Sequence, residues 1–352
     1  MSESFLKTRY LTGLRAYAAL GVFLIHAGGG GLVTFSSFTR EVVHFGKYGV
    51  MVFFVLSAVT VCMSVDCSAE RYSYGRYLLK RAFRIVPLYY IMLLFGFWLG
   101  GCKVHLDLFG IQNDLKNLIL HLSFLNYFDV RYKNSIIGIE WTIPLEFIYY
   151  MVIPSLFFWV RRFNKQKIVY FLLVAFVISR LSREIFGFMY NPEFKNLTEH
   201  WSVEKYLFTY ACGIVCYVNL KKNILIRNSS LVLACVFLLL FLYIYSPIHQ
   251  PSPIFVISVF AWVVILVSSQ GGWLSVFLFE NPIVMFLGKI SYSIYLTHKF
   301  ILSGLPSILP GLMFGSDYGL FVVMLIATVL VSTITYYLIE RPFINFGKRF
   351  TT

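Results

Sequence analysis

Charge is what this sequence has least of. Only 13% of its 352 residues are Asp, Glu, Lys or Arg, while 59% are apolar and the mean hydropathy is +0.75. Soluble domains carry roughly 25% charged residues, so a water-soluble globule and a disordered tail protein are both excluded. Acidic residues are scarcer still, 16 against 30 basic ones, which leaves a net charge of +14. Cysteine is sparse and unpaired in pattern. Cys62, Cys67, Cys102, Cys212, Cys216 and Cys235 form no C-x-x-C pair, which argues against a disulfide framework or a metal centre. No low-complexity linker divides the chain, so one domain over 1–352 is the simplest organisation. No internal repeat stands out either, and repeats are what a transporter built from related halves would show.

What the sequence does have is apolar length, enough for roughly ten helices of about 20 residues across a bilayer. The candidate runs lie near 10–27, 48–66, 86–102, 139–160, 168–180, 205–220, 229–246, 254–269, 290–307 and 319–339. The expected fold is all-α, a polytopic membrane helix bundle of about ten transmembrane helices. With the N-terminus inside, the outer segments hold Arg40, Lys47, Lys103, Lys116, Arg131, Lys133, Arg180, Arg183, Lys195 and Lys205. Arg15 and Lys299 fall within spans, and the rest of the 30 basic residues lie inside. The positive-inside bias therefore sets both termini in the cytoplasm. The +14 reads as a topology signal, with no call on nucleic acid. The first run carries Arg15 and lacks a small-x-small cleavage site, so it is not a cleavable signal peptide. The basic stretch 71–86, with interleaved aromatics, is expected to lie on the inner surface as an amphipathic helix. An eleventh span, or a re-entrant piece within 115–128, would alter the span count.

Ionisable groups inside spans are costly and usually face a cavity or a partner. Arg15 and His26 are eleven positions apart, which returns them to within roughly 20° of one helix face, about 16 Å apart along it. Pro144 withholds a donor from the carbonyl of Glu140 and is expected to bend the fourth span. Thr142, Glu146 and Tyr150 then recur at i, i+4 and i+8 as a polar stripe. Glu146 is expected to pair with a cation such as Arg15 or to hold a histidine in one tautomer. In the ninth span Tyr295 and His298 share a face, with Lys299 beside them. Glu340-Arg341-Pro342 reads as a local ion pair and a helix stop.

In this order the residues resemble the acyltransferase-3 family of integral membrane acyltransferases, from about residue 8 to 343. Arg15 and His26 match its R-x10-H pair, and Val52 to Ser57 looks like its FFxLSG element. Arg81, Arg84, Pro87, Tyr89 and Tyr90 resemble its RRxxRIxPxY stretch. Trp141 to Glu146, with Tyr149 and Pro154, is similar to its WSLxxExxxYxxxP block. Ser291-Tyr292 through Leu296 and His298 looks like its SYxIYLxH element. Three positions depart from the pattern: Met51 before the Phe pair, Ala58 after Ser57, and Phe147 after Glu146. The extra esterase-like domain of some members is not expected here.

The resemblance implies an enzyme that O-acylates, usually acetylates, a cell-envelope glycan such as O-antigen or capsule. The co-substrate would be acyl-coenzyme A, most simply acetyl-CoA, with no bound cofactor or metal, in a bacterial inner membrane. It further implies His26 as general base on the acceptor hydroxyl, with Glu146 orienting the imidazole. Arg15, Arg81 and Arg84 would hold the donor, since arginine suits phosphate. Ser57, Trp141, Tyr292 and His298 are further candidates. An acyl-histidine relay is the competing chemistry. A transporter or flippase of a lipid-linked glycan is the alternative function. Neither the acceptor nor the oligomeric state is legible.

Overall fold

The computed structural model describes residues 8–27, 37–67, 72–182, 184, 193–222, 226–245, 253–308 and 317–350. These residues are helical throughout their regular structure, with no β-strand among them. The α-helices run α1 Arg9–His26, α2 Ser37–Phe45, α3 Gly49–Cys67, α4 Tyr74–Trp98, α5 Lys103–Phe109 and α6 Leu115–Leu122. They continue with α7 Thr142–Val160, α8 Lys165–Arg180, α9 Lys195–His200, α10 Leu207–Lys221, α11 Ser229–Tyr245 and α12 Pro253–Ser268. The last are α13 Trp273–Phe279, α14 Pro282–Lys289, α15 Ser291–Ile308, α16 Asp317–Thr335 and α17 Arg341–Arg349. A π-turn, Tyr336–Glu340, joins α16 to α17.

Polarity is inverted relative to a soluble protein. Leu238, Leu239 and Leu242 on α11, Tyr170 and Val174 on α8, and Ile326 and Leu330 on α16 are exposed. Thr209, Ser258, Ser293 and Ser332 are fully buried. These hydroxyls satisfy one another across helices, Thr209 with Ser258 at 2.8 Å and Thr297 with Ser332 at 2.9 Å. Such a surface is at ease only in lipid, where small and hydroxylated side chains hold helices together. The chain is a helical membrane protein.

Helix α1 lies at the centre, against α3, α14 and α15. Two glycines bring it backbone to backbone with its neighbours. A Cβ on Gly13 would stand 2.0 Å from the carbonyl oxygen of Phe279, and one on Gly288 would stand 2.0 Å from that of Thr12. Overpacking of this kind costs about 1–3 kcal/mol. Gly288→Val is therefore expected to lower the unfolding midpoint in detergent; an unchanged midpoint would deny the contact.

Each of the ten apolar runs overlaps a helix, but the span count does not follow from it. Among the described residues three helical stretches, Thr39–Cys67, Thr142–Val160 and Gly319–Arg349, are long and apolar enough to cross a membrane. The number rises to five if the bent pairs α4 with α5 and α12 with α13 each form one span. Helices such as α8 and α10, at 16 and 15 residues, reach only about 24 Å at 1.5 Å per residue. The count of ten and the placing of the termini are thus not carried by the fold.

The 115–128 segment, with the eight-residue α6 and a short 3-10 turn, is too short for an eleventh span. Three local expectations need correcting. Residues 74–86 do not form a separate surface helix; α4 runs unbroken from Tyr74 through Pro87 to Trp98, and Arg81 is buried. Pro144 does not bend α7, because it sits in the first turn, where no backbone donor is needed. Pro342 does not stop the last helix, since it occupies the first turn of α17. There Glu340 accepts a hydrogen bond from Ser293 Oγ at 2.8 Å instead of pairing with Arg341.

Candidate active site

His26, the last residue of α1, is exposed, and its Nδ1 lies 2.8 Å from Nε2 of His298 on α15. His298 is fully buried, and its Nδ1 lies 3.0 Å from the carbonyl oxygen of Ile294, one turn back on its own helix. A carbonyl can only accept, so the neutral His298 ring carries its proton on Nδ1 and offers a lone pair at Nε2. That lone pair accepts from His26 Nδ1–H. The Nε2 of His26 is then left unprotonated, and His26 lines an outer cavity of about 550 Å³. One helix fixes the tautomer of a histidine on another, and the second imidazole is presented as a base.

Beneath His298 by one turn, Tyr295 donates to the carbonyl of Ile139 at 2.9 Å and accepts from Thr142 Oγ1 at 2.7 Å. Its ring packs edge-on against Phe53. Both side chains cap a narrow central cavity of about 70 Å³ between α1, α3, α4, α7 and α15. Glu146 lies in its wall, accepting from Ser57 Oγ at 2.7 Å and from Tyr150 OH at 2.5 Å.

Arg15, Thr60, Arg81 and Arg84 line this cavity and also a second one of about 330 Å³. Thr60 ties two of the arginines: Arg15 Nη2 donates to its hydroxyl at 3.2 Å and Arg81 Nη2 to its carbonyl at 2.9 Å. Arg81 also lies over the rings of Tyr77 and Tyr150. Lys80 and Lys348 add two more cations to the second cavity, and no carboxylate is among its described lining residues. Five cations with no carboxylate among the described lining residues suit a polyanion such as a phosphorylated ligand.

The sequence candidates therefore fall into two groups. Arg15, Arg81, Arg84, Ser57, Glu146 and Tyr292 meet at the central cavity, where Tyr292 OH donates to the carbonyl of Ile85 at 2.9 Å. His26 and His298 form the pair above it. The partner of His26 is thus His298, and Glu146 is engaged with Ser57 and Tyr150. Arg15 and Glu146 share a wall without a hydrogen bond between them, Arg15 being bound to Thr60. Trp141 lines neither cavity; it packs on Phe54, His200 and Tyr206.

Three contributors escaped the sequence reading. Lys80 and Lys348 join the basic cavity from helices far apart in the chain. Glu140 is buried and closes a ring with the loop before α7, accepting from the backbone N–H groups of Ile136, Ile137, Gly138 and Ile139 at 2.5–3.0 Å. Gly138 has φ +94°, a conformation glycine adopts without steric cost. Burial raises the carboxyl pKa of Glu140, but the adjacent His121 ring and those backbone donors outweigh it and hold the group below its usual range. A carboxylate within four residues of a glycine-containing turn is the one signal that could have found this loop.

Among known proteins, a family profile described as an acyltransferase domain (Acyl_transf_3) matches residues 8–337. A curated relative from the Acidianus two-tailed virus, named "Putative acetyltransferase ORF330", is 28% identical over 311 residues, covering 85% of each chain. No solved structure matches the chain.

Proposed function

This chain belongs to the acyltransferase-3 family, and from that premise we propose that it transfers an acyl group, most simply acetyl, from cytoplasmic acyl-coenzyme A to a hydroxyl of an envelope glycan, in the inner membrane of a bacterium. One observation carries this reading. A basic cavity lined by Arg15, Lys80, Arg81, Arg84 and Lys348 shares walls with the central cavity, and the free His26 nitrogen lies at the opposite end. The phosphates of the coenzyme would sit among the cations and the pantetheine arm would run past Glu146 toward the histidine pair.

The chemistry then follows from the tautomer. The acceptor hydroxyl gives its proton to His26 Nε2 as its oxygen bonds to the thioester carbonyl carbon. The C–S bond breaks, and the departing thiolate takes the proton back from the imidazolium. His298 stabilises the charge that develops on His26 by accepting from its Nδ1–H, a bond that strengthens as the imidazole becomes cationic. Glu146 accepts from two hydroxyl donors and sits beside the arginines, where its negative charge offsets part of theirs.

Membranes carrying the protein, incubated with labelled acetyl-coenzyme A and envelope glycan, should transfer label to the glycan; transfer that persists in His26→Ala would overturn the proposal. Arg84→Ala should raise KM for acetyl-coenzyme A at least about tenfold, given 1.5–3 kcal/mol for a hydrogen bond to a charged group. Its kcat should stay within about twofold, because a contact to the coenzyme tail acts on binding more than on the chemical step. An unchanged KM would remove Arg84 from the donor site.

A further inference from the structure

Resting on the acyl-transfer reading, we propose that the acceptor carries an anionic group, a carboxylate or a phosphate, near the hydroxyl that is acylated, and that Lys299 holds this group in the outer cavity. The cavity is bounded by the α4–α5 corner, the Ile136–Ile137 strip and α15. Two cations, Lys103 and Lys299, line it, and its described lining residues include no Asp, Glu, Asn or Gln. The hydroxyls of a neutral sugar both donate and accept, and cations can meet only the accepting half of that. Ammonium groups have no acceptor to offer. The wall is matched instead to a ligand rich in acceptors.

Lys299 is the better placed of the two cations. It directly follows His298, so its backbone is fixed to the same helical turn as the histidine pair. Its stem runs close to Gly138, where an added Cβ would stand 3.7 Å from Lys299 Cε. The side chain is half-buried, and its ammonium makes no ion pair or hydrogen bond with a described residue. An ammonium partly removed from water and left without a counterion is unfavourable. An anion on the acceptor supplies the counterion at the moment of binding. Lys103, exposed on the rim, adds a second, weaker attraction. Leu99, Ile136, Ile137 and Phe300 give the cavity an apolar side, against which a charge-assisted bond is stronger than in open water.

His26 opens into this cavity, so occupancy can be read without turnover, through its carbethoxylation by diethyl pyrocarbonate in the detergent-solubilised full chain. Glucuronate and glycerol phosphate each join a hydroxyl to an anion; glucose and glycerol are their neutral counterparts at matched ionic strength. At least one anionic compound should slow modification of His26 about threefold or more, as charge-assisted bonds require, and its neutral counterpart should not. The two arms tell a carboxylate-bearing from a phosphate-bearing acceptor. Lys299→Met should abolish the protection, and Lys299→Arg should keep it, which separates lost charge from lost folding. Equal protection by the neutral compounds, or protection by none of the four, overturns the proposal, as does full protection in Lys299→Met. Release of coenzyme A from labelled acetyl-coenzyme A by the same preparation reports separately on acyl transfer. Selective protection without such release would refute the enzyme reading and leave the anion site standing.

Discussion

Replacing His26 by alanine should lower the turnover of acyl transfer about 100- to 10,000-fold, the usual contribution of a positioned general base. The effect should fall on kcat. His26 lines the outer cavity, whereas the cations that would bind the donor line the basic one, so KM for acetyl-coenzyme A should change little. His298→Ala should reproduce part of the loss, because it removes the acceptor that keeps the proton of His26 on Nδ1. His298→Gln returns an acceptor to that position and should recover some of the activity. The measurement is a full kinetic comparison of wild type and the three variants with labelled donor. A His298→Ala variant with wild-type kcat would show that the buried imidazole does not set the tautomer. A fall in donor affinity in His26→Ala, with kcat intact, would place His26 in binding and remove it from proton transfer.

The second large effect concerns folding. Glu140→Ala should destabilise the protein by about 3 kcal/mol or more, since each buried backbone donor left unsatisfied costs about 1–3 kcal/mol. The loss would strand four backbone N–H groups and leave His121 Nε2, now 3.3 Å from Glu140 Oε1, facing a void. Activity should fall with stability, since Ile139 of the same loop anchors Tyr295. Glu140→Gln keeps one acceptor oxygen and should cost less. The pH dependence has a definite sign. The folded-state pKa of Glu140 lies below its ordinary value, so its contribution is complete above the unfolded carboxyl pKa of about 4.3. It is lost as pH falls through the lower folded value, because below that point both states are protonated. Denaturant unfolding in detergent over acidic pH should show wild type losing stability that Glu140→Gln lacks from the start. Parallel acid profiles for the two would contradict the pairing.

The helices were readable because each apolar run is bounded by charge or by Pro and Gly, and a helix is a local event. The shared face of Arg15 and His26 was readable for the same reason, as one helix fixes both. Partnership between helices was not. Sequence pattern favours Glu146 as the group that orients His26 and leaves His298 a further candidate, because nothing within either segment reveals which of them packs there. The choice is made by α15 packing against the end of α1, and by Ser57 and Tyr150 occupying Glu146 first. Pro144 misled because a proline bends a helix only beyond its first turn, and that depends on a start at Thr142 which the apolar pattern blurs. Lys348 reaches the basic cavity only because α17 continues past the π-turn at Tyr336–Glu340 and packs on α4. A rare local register of that sort leaves no mark in hydropathy.

The central and outer cavities share no lining residue among those described, and Phe53, Tyr295 and His298 stand between them. Were both cavities water-filled, a voltage across the membrane would fall largely over the few side chains between them, and each unit charge crossing there would do work of about 2.3 kcal/mol per 100 mV. On the proposed reading the acyl group is uncharged and the coenzyme's phosphates would stay behind among the arginines. Moving acetyl through the partition would then be electrically silent: a chemical group would leave while the membrane remained an insulator.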